Sequence, residues 1–134
     1  MSAYTILRAG DAPDYTGDAP GAFLGYARPL GSDQLGVNLR VLEPGTTHVP
    51  PGSDPTRGHS HRTIEEIYFV VDGEITIKLG DDITTLGPRD AVFIPAATPR
   101  LVRNESGAQA AFLMISVRVE DLRAESVVHE HFWE

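Results

Sequence analysis

The sequence predicts an all-β fold, a sandwich or barrel of short strands, on three observations. Thirteen Gly and ten Pro are spread through the whole chain and cut it into pieces of strand length. Val, Ile, Phe and Tyr dominate the pieces between those breakers, as suits a pleated, half-buried surface. At 134 residues with 41% hydrophobic content, the chain is the size of one domain with enough apolar surface for a single core.

Residues 1–35 carry little periodicity beyond Tyr4 to Arg8 and Phe23 to Arg28, and are expected to form an arm with short strands that packs on the barrel or on a second subunit. The barrel is expected over residues 36–118. Its strands read as Gly36 to Glu43, Glu66 to Val71, Glu74 to Leu79, Ile83 to Leu86, Ala91 to Ile94, Arg100 to Arg103 and Ala110 to Arg118. Asp72-Gly73 predicts a tight hairpin, because Gly takes a positive φ without steric penalty. Gly80-Asp81-Asp82 and Asn104-Glu105-Ser106-Gly107 are further turn clusters. In the strand from Glu74, Ile75, Ile77 and Leu79 project to one face while Glu74, Thr76 and Lys78 project to the other. Residues 119–134 form a tail in which only Val119 to Glu125 offers an unbroken run for a helical turn.

Composition removes several function classes. With no cysteine, the chain has no disulfide framework, zinc ribbon, iron–sulfur cluster or thiol nucleophile, so a metal must sit on His, carboxylate or water. Eleven basic against nineteen acidic residues give a net charge of −8, which repels phosphate backbones and anionic lipid. Nucleic acid and membranes are therefore not expected as partners. No apolar run is long enough to span a bilayer and Met1 to Gly10 has no basic-then-apolar leader, so a cytoplasmic location is expected.

The chemistry concentrates in Gly58-His59-Ser60-His61-Arg62-Thr63-Ile64-Glu65-Glu66. Residues two apart on a strand share a face, so His59 and His61 point the same way, at a spacing suited to one ion. Glu66 lies at an odd offset beyond His61, so the chain must bend around Arg62 to Ile64 for the carboxylate to join them. Two imidazoles and a carboxylate from adjacent strands then form a facial triad with open coordination positions. On spacing alone, the competing reading is two surface histidines in a polar loop.

These residues resemble the first motif of the cupin superfamily, in which His-x-His is followed by Glu and then Gly; His59, His61, Glu66 and Gly73 stand at its spacings. The second motif keeps Pro95 and Asn104 in register but departs at three positions, with Arg89 and Ala97 where Gly is expected and Arg100 where His is expected. Pro50 to Pro55 reads as a loop insertion after Gly45. The resemblance covers Leu39 to Val117 and implies a small single-domain cupin, a double-stranded β-helix or jelly-roll barrel. It implies a divalent transition metal (iron, manganese, nickel, cobalt or zinc) on His59, His61 and Glu66, a small-molecule ligand and a homodimer. It does not fix the reaction, a dioxygenase or isomerase acting on an anionic small molecule being the reading adopted.

Arg100 bears on the metal, since a guanidinium has no lone pair to replace the fourth ligand. About 6 Å from a divalent ion it would meet roughly 5 kcal/mol of repulsion at an effective dielectric near 20. Three arrangements are open. Arg100 stands back from a metal and clamps a substrate carboxylate or phosphate; or the metal is lost and Arg100 pairs with Glu66 in a pocket for a small anion, making a non-catalytic binding barrel; or Arg100 faces solvent.

Tyr68 and Val70 share parity with Glu66 and are expected on its side, as core before ligand contact, although Tyr68 is kept with Arg100 as a substrate-binding candidate. Phe93, Phe112 and Met114 read as core, and His48 as a solvated loop residue. In the tail, His129-Glu130-His131 offers a second His-x-His, but Phe132-Trp133 is expected to anchor this segment on the barrel or a partner.

Overall fold

A computed structural model of the protein describes residues 3–134 as two five-stranded sheets. The first orders its strands β1 (Ala22–Gly25), β2 (Leu35–Leu42), β9 (Ala110–Val117), β4 (Glu66–Asp72) and β7 (Ala91–Ile94). The second orders β10 (Ser126–His129), β3 (Gly58–His61), β8 (Arg100–Arg103), β5 (Ile75–Leu79) and β6 (Asp82–Leu86). Every neighbouring pair is antiparallel. Two four-residue helices complete the fold, α1 (Ala27–Leu30), stopped by Gly31 at φ 77°, and α2 (Leu122–Glu125), capped by the Asp121 side chain. This is the predicted all-β jelly roll.

The inward faces of β2, β4 and β9 run from core to cavity. Leu42, Val70, Ala110 and Phe112 join Ile75, Ile77, Ile94 and Val102 in the sealed core. Further along the same faces Arg40, Tyr68 and Met114, then Asn38, Glu66 and Ser116, line an open cavity of about 420 Å³. The closed end supplies rigidity and the open end the site. Asn104, wholly buried, pins the loop after β8: its amide donates to Leu42 O and Ala108 O, each at 2.8 Å.

Several expectations change. Asp72-Gly73 makes its tight turn, with Gly73 at φ 69° and a Cβ there falling 2.5 Å from Gln109 O, but it carries the chain from the first sheet to the second instead of closing a hairpin. The hairpin lies at Gly80-Asp81, where Leu79 pairs with Asp82. Tyr4 to Arg8 forms no strand; Tyr4 and Ile6 are exposed. Phe23 to Arg28 splits into the end of β1, which pairs with β2, and the start of α1. Phe93 is 55% exposed because Val92 and Ile94 take the inward positions of β7. β10 has no counterpart in the sequence reading; it pairs with β3 in a register that sets Ser126 against His61 and Val128 against His59.

Candidate metal centre

β3 and β4 lie in opposite sheets, so the bend at Arg62 to Ile64 is the crossing between them, and the imidazoles and carboxylate face each other across the barrel instead of along neighbouring strands. The crossing is held by Glu125, which accepts from Thr63 N at 2.7 Å and Ile64 N at 2.9 Å. The result brings one ligand atom from each of His59, His61 and Glu66 to within 4.8 Å of one another.

These residues fit a metal. His61 Nε2 and Glu66 Oε1 are 3.1 Å apart, close to the separation of about 3.0 Å between neighbouring ligands on an ion with bonds near 2.1 Å. Among the described residues His59 makes no hydrogen bond through either ring nitrogen, and neither nitrogen is sealed from the cavity. Burial, reinforced by the positive charge of Arg100, pushes its pKa down to about 4, so it is neutral and presents a lone pair at pH 7. Burial works to raise the Glu66 pKa, but the hydrogen bond from His61 and the charge of Arg100 outweigh it and hold the group below its ordinary value.

Glu66 Oε1 is crowded and Oε2 is free. Oε1 accepts from Arg100 Nη1 at 2.7 Å and from the Tyr68 hydroxyl at 3.3 Å, besides its contact with His61. Oε2 makes no hydrogen bond and is not sealed from the cavity. Behind Tyr68 lies His48, which is 5% exposed and not solvated as its loop position suggested. Val102 N donates to His48 Nδ1 at 3.0 Å, which fixes the proton on Nε2, and Nε2 lies 3.4 Å from the Tyr68 hydroxyl. Burial first, then the neighbouring His59 and Arg40, keep His48 neutral. Burial and the Glu66 charge raise the Tyr68 pKa, so its hydroxyl stays a donor. Tyr68 is both core and cavity wall.

Arg100 is 0% exposed, which removes the solvent-facing arrangement. Its Nη2 donates to Pro95 O, Ala96 O and Thr98 O at 2.9, 3.1 and 2.9 Å, and Nε to Thr98 O at 3.2 Å. Its Nη1 donates to Glu66 Oε1 and it is not among the residues lining the cavity, so the structure places Arg100, a substrate-binding candidate in the sequence, as a tether on Glu66. A buried cation that does face the cavity is Arg40, which sequence reasoning passed over. Alternation along Gly36 to Glu43 puts it on the same side as Leu42, and an Arg on a core-facing parity was the available signal.

Residues 45–116 match the family of the cupin domain. The chain belongs to the cupin family. A relative of this cupin, named Beta-D-galactosidase Rv1717, from Mycobacterium tuberculosis (strain ATCC 25618 / H37Rv), is 30% identical over 113 residues, covering 81% of this chain and 90% of that one. The protein TT1209 from Thermus thermophilus shares its fold at a TM-score of 0.63 and 25% identity, over 84% of this chain and 95% of that one. A cupin protein from Bacteroides fragilis shares it at a TM-score of 0.69 and 23% identity, over 92% and 91%. No helix among the described residues is long and apolar enough to cross a membrane.

The tail docks on the cupin barrel. Trp133, 9% exposed, lies under the Arg103 guanidinium at 4.0 Å, and the carbonyl of Trp133 accepts from Arg103. Phe132 sits against Gly58 and receives Lys78 Nζ over its ring at 4.6 Å. His129 Nε2 contacts Ser60 Oγ at 2.9 Å and His131 pairs with Glu134, so neither joins the cavity histidines.

Proposed function

We propose that this cupin is a metal-dependent enzyme acting on a small anionic molecule, with His59, His61 and Glu66 as the metal ligands and the adjoining cavity as the substrate room. The observation that carries the reading is the convergence of one ligand atom each from His59, His61 and Glu66 to within 4.8 Å of one another, with His59 neutral and unpaired among the described residues and all three lining the cavity. A divalent transition metal held there supplies Lewis-acid polarisation of a substrate oxygen and open coordination positions. Arg100 fixes the Glu66 rotamer, Tyr68 supplies a protonated hydroxyl beside it, and Phe23, Ile64 and Met114 make the cavity partly apolar. Isomerisation or dioxygenation is the reaction class that a three-ligand centre of this kind supports.

The relative's name brings a second reading, cleavage of a β-galactoside. Glycoside hydrolysis ordinarily uses two carboxyl groups flanking the bond. Among the described residues the cavity lining carries one, Glu66, which Arg100 tethers. That favours the metal-centred reading. Cobalt(II)-loaded protein separates the two: visible bands that shift when small carboxylates, sugar phosphates or phenolic acids are added support the first, while release of nitrophenol from nitrophenyl β-D-galactoside, unaffected by chelator, supports the second.

The homodimer belongs to the same proposal. Ile67 and Phe93 pair across the outer face of the first sheet, and Leu35 pairs with Val117; all four are exposed. Sedimentation of the wild type and Ile67→Glu reads it directly, a dimer that becomes monomeric being the expected result.

A further inference from the structure

Arg40 is 5% exposed and has no ion pair among the described residues. Its Nη1 donates to His48 O at 2.7 Å and Nη2 to Val49 O at 3.4 Å, and its guanidinium lies 4.6 Å over the Phe23 ring. Its Nε is buried with no partner at all. A buried cation with no carboxylate in contact and an incomplete set of acceptors is strongly disfavoured; Asp14 acts on it only from a distance, and burial pushes its pKa down to about 10. The cavity beside it is lined by further cations, of which Arg57 pairs with Glu130 and Arg118 with Asp33. Arg28, Arg57 and Arg118 line it with Arg40, against the single carboxylate of Glu66, in a chain whose net charge is −8. With Arg57 and Arg118 paired outside the lining, Arg40 and Arg28 are the lining cations without an ion pair among the described residues.

We infer that Arg40 is the anion receptor of the cavity, binding the carboxylate or phosphate group of a small organic molecule whose remaining atoms extend over Phe23 and Met114 toward His59 and Glu66. The fork geometry of a guanidinium suits both anions. An anion seated there supplies the counter-charge that the fold leaves out, and the backbone contacts to His48 and Val49 hold the receptor in place before the ligand arrives. Position 40 thus selects the ligand by charge, while the metal centre acts on what is presented to it. The inference shares the cavity with the proposed function but does not require the metal.

The test titrates metal-loaded protein with benzoate and, separately, with inorganic phosphate at millimolar concentrations, reading affinity by calorimetry in every variant and the shift of the Arg40 Nε–H resonance in the wild type. The expected result is a saturable shift with at least one anion, benzoate marking a carboxylate site and phosphate a phosphate site. In Arg40→Met the affinity falls about ten- to a hundredfold, the range for loss of one charge-assisted pair, while Arg40→Lys keeps part of it. Absence of any shift with both anions overturns the inference, as does a folded Arg40→Met protein that binds as tightly as wild type. His59→Ala separates this outcome from the metal reading. Binding retained there and lost in Arg40→Met places the anion on Arg40 whatever the metal content, whereas the reverse places it on the metal and overturns the proposal.

Discussion

Arg100 and Glu66 meet at 2.7 Å, the guanidinium fully buried and the carboxylate 12% exposed, in the corner of the barrel where β8 lies beside β3. The pair shows where the Arg100 side chain goes. Its donors turn away from the cavity into Pro95 O, Ala96 O and Thr98 O, and the one that reaches forward meets Glu66 Oε1. Oε2 is left free, so the tether orients the carboxylate without covering it.

Replacing Arg100 tests that role. Arg100→Met removes the counter-charge of a largely buried carboxylate and the side-chain donor on three carbonyls, and is expected to lower stability by about 3–5 kcal/mol in urea unfolding. Arg100→His sets an imidazole opposite His59 in the strand register and is expected to tighten metal binding in a competition titration. Equal affinity in the two proteins contradicts the placement of this side chain at the triad.

Arg89, read from the sequence as standing where the second motif has glycine, takes a glycine-type conformation, with φ at 69° on an exposed turn. A side chain with a Cβ is strained there, so Arg89→Gly should stabilise the protein by about 0.5–1 kcal/mol. Thermal unfolding should rise by about 2–4 °C. An unchanged or lower midpoint contradicts the backbone assignment.

The crossing between β3 and β4 should make the fold acid-sensitive. Hydrogen bonds from Thr63 N, and then Ile64 N, hold the Glu125 carboxyl below its ordinary value of 4.5. The folded state thus holds this proton less tightly than the unfolded state. Its stabilisation is complete above the ordinary carboxyl range and is lost as pH falls through the lowered pKa. Melts from pH 6 down to pH 3 should show a slope that Glu125→Gln flattens; an unaltered slope removes this group from the acid response.

β10 and the aromatic end brace the strand that carries both histidines. Trp133→Ala is expected to lower stability by about 2–4 kcal/mol, by loss of its packing under Arg103. Truncation after Val128 should in addition weaken metal binding, because β3 loses the support of Phe132 against Gly58. Unchanged metal affinity in the truncated protein would show that the strap is structural alone.

Much of this was legible in the sequence. Gly and Pro punctuation gave strand boundaries that the structure reproduces at Ala91–Ile94 and Arg100–Arg103 to the residue. That His59, His61 and Glu66 cluster was readable from two residues along one strand and an odd step across a turn, once the resemblance to the cupin motif was added to the spacing. What escaped depends on packing between distant segments. His48 looked like a loop residue because nothing local shows that Val102 and Tyr68 enclose it. Asp72-Gly73 and Gly80-Asp81 carry the same turn chemistry, and only the pairing of β5 with β6 tells hairpin from crossing. Arg100 could not be aimed from sequence, since its direction is decided by three carbonyls on the loop before β8.

The central claim is that His59, His61 and Glu66 hold one metal ion. Elemental analysis of protein purified without chelator, together with the His59→Ala/His61→Ala double variant, tests it most directly. The account predicts near-stoichiometric iron, manganese, nickel, cobalt or zinc in the wild type and its loss in the folded variant. Folded wild-type protein that contains no metal and takes up none of these ions when they are supplied would contradict it.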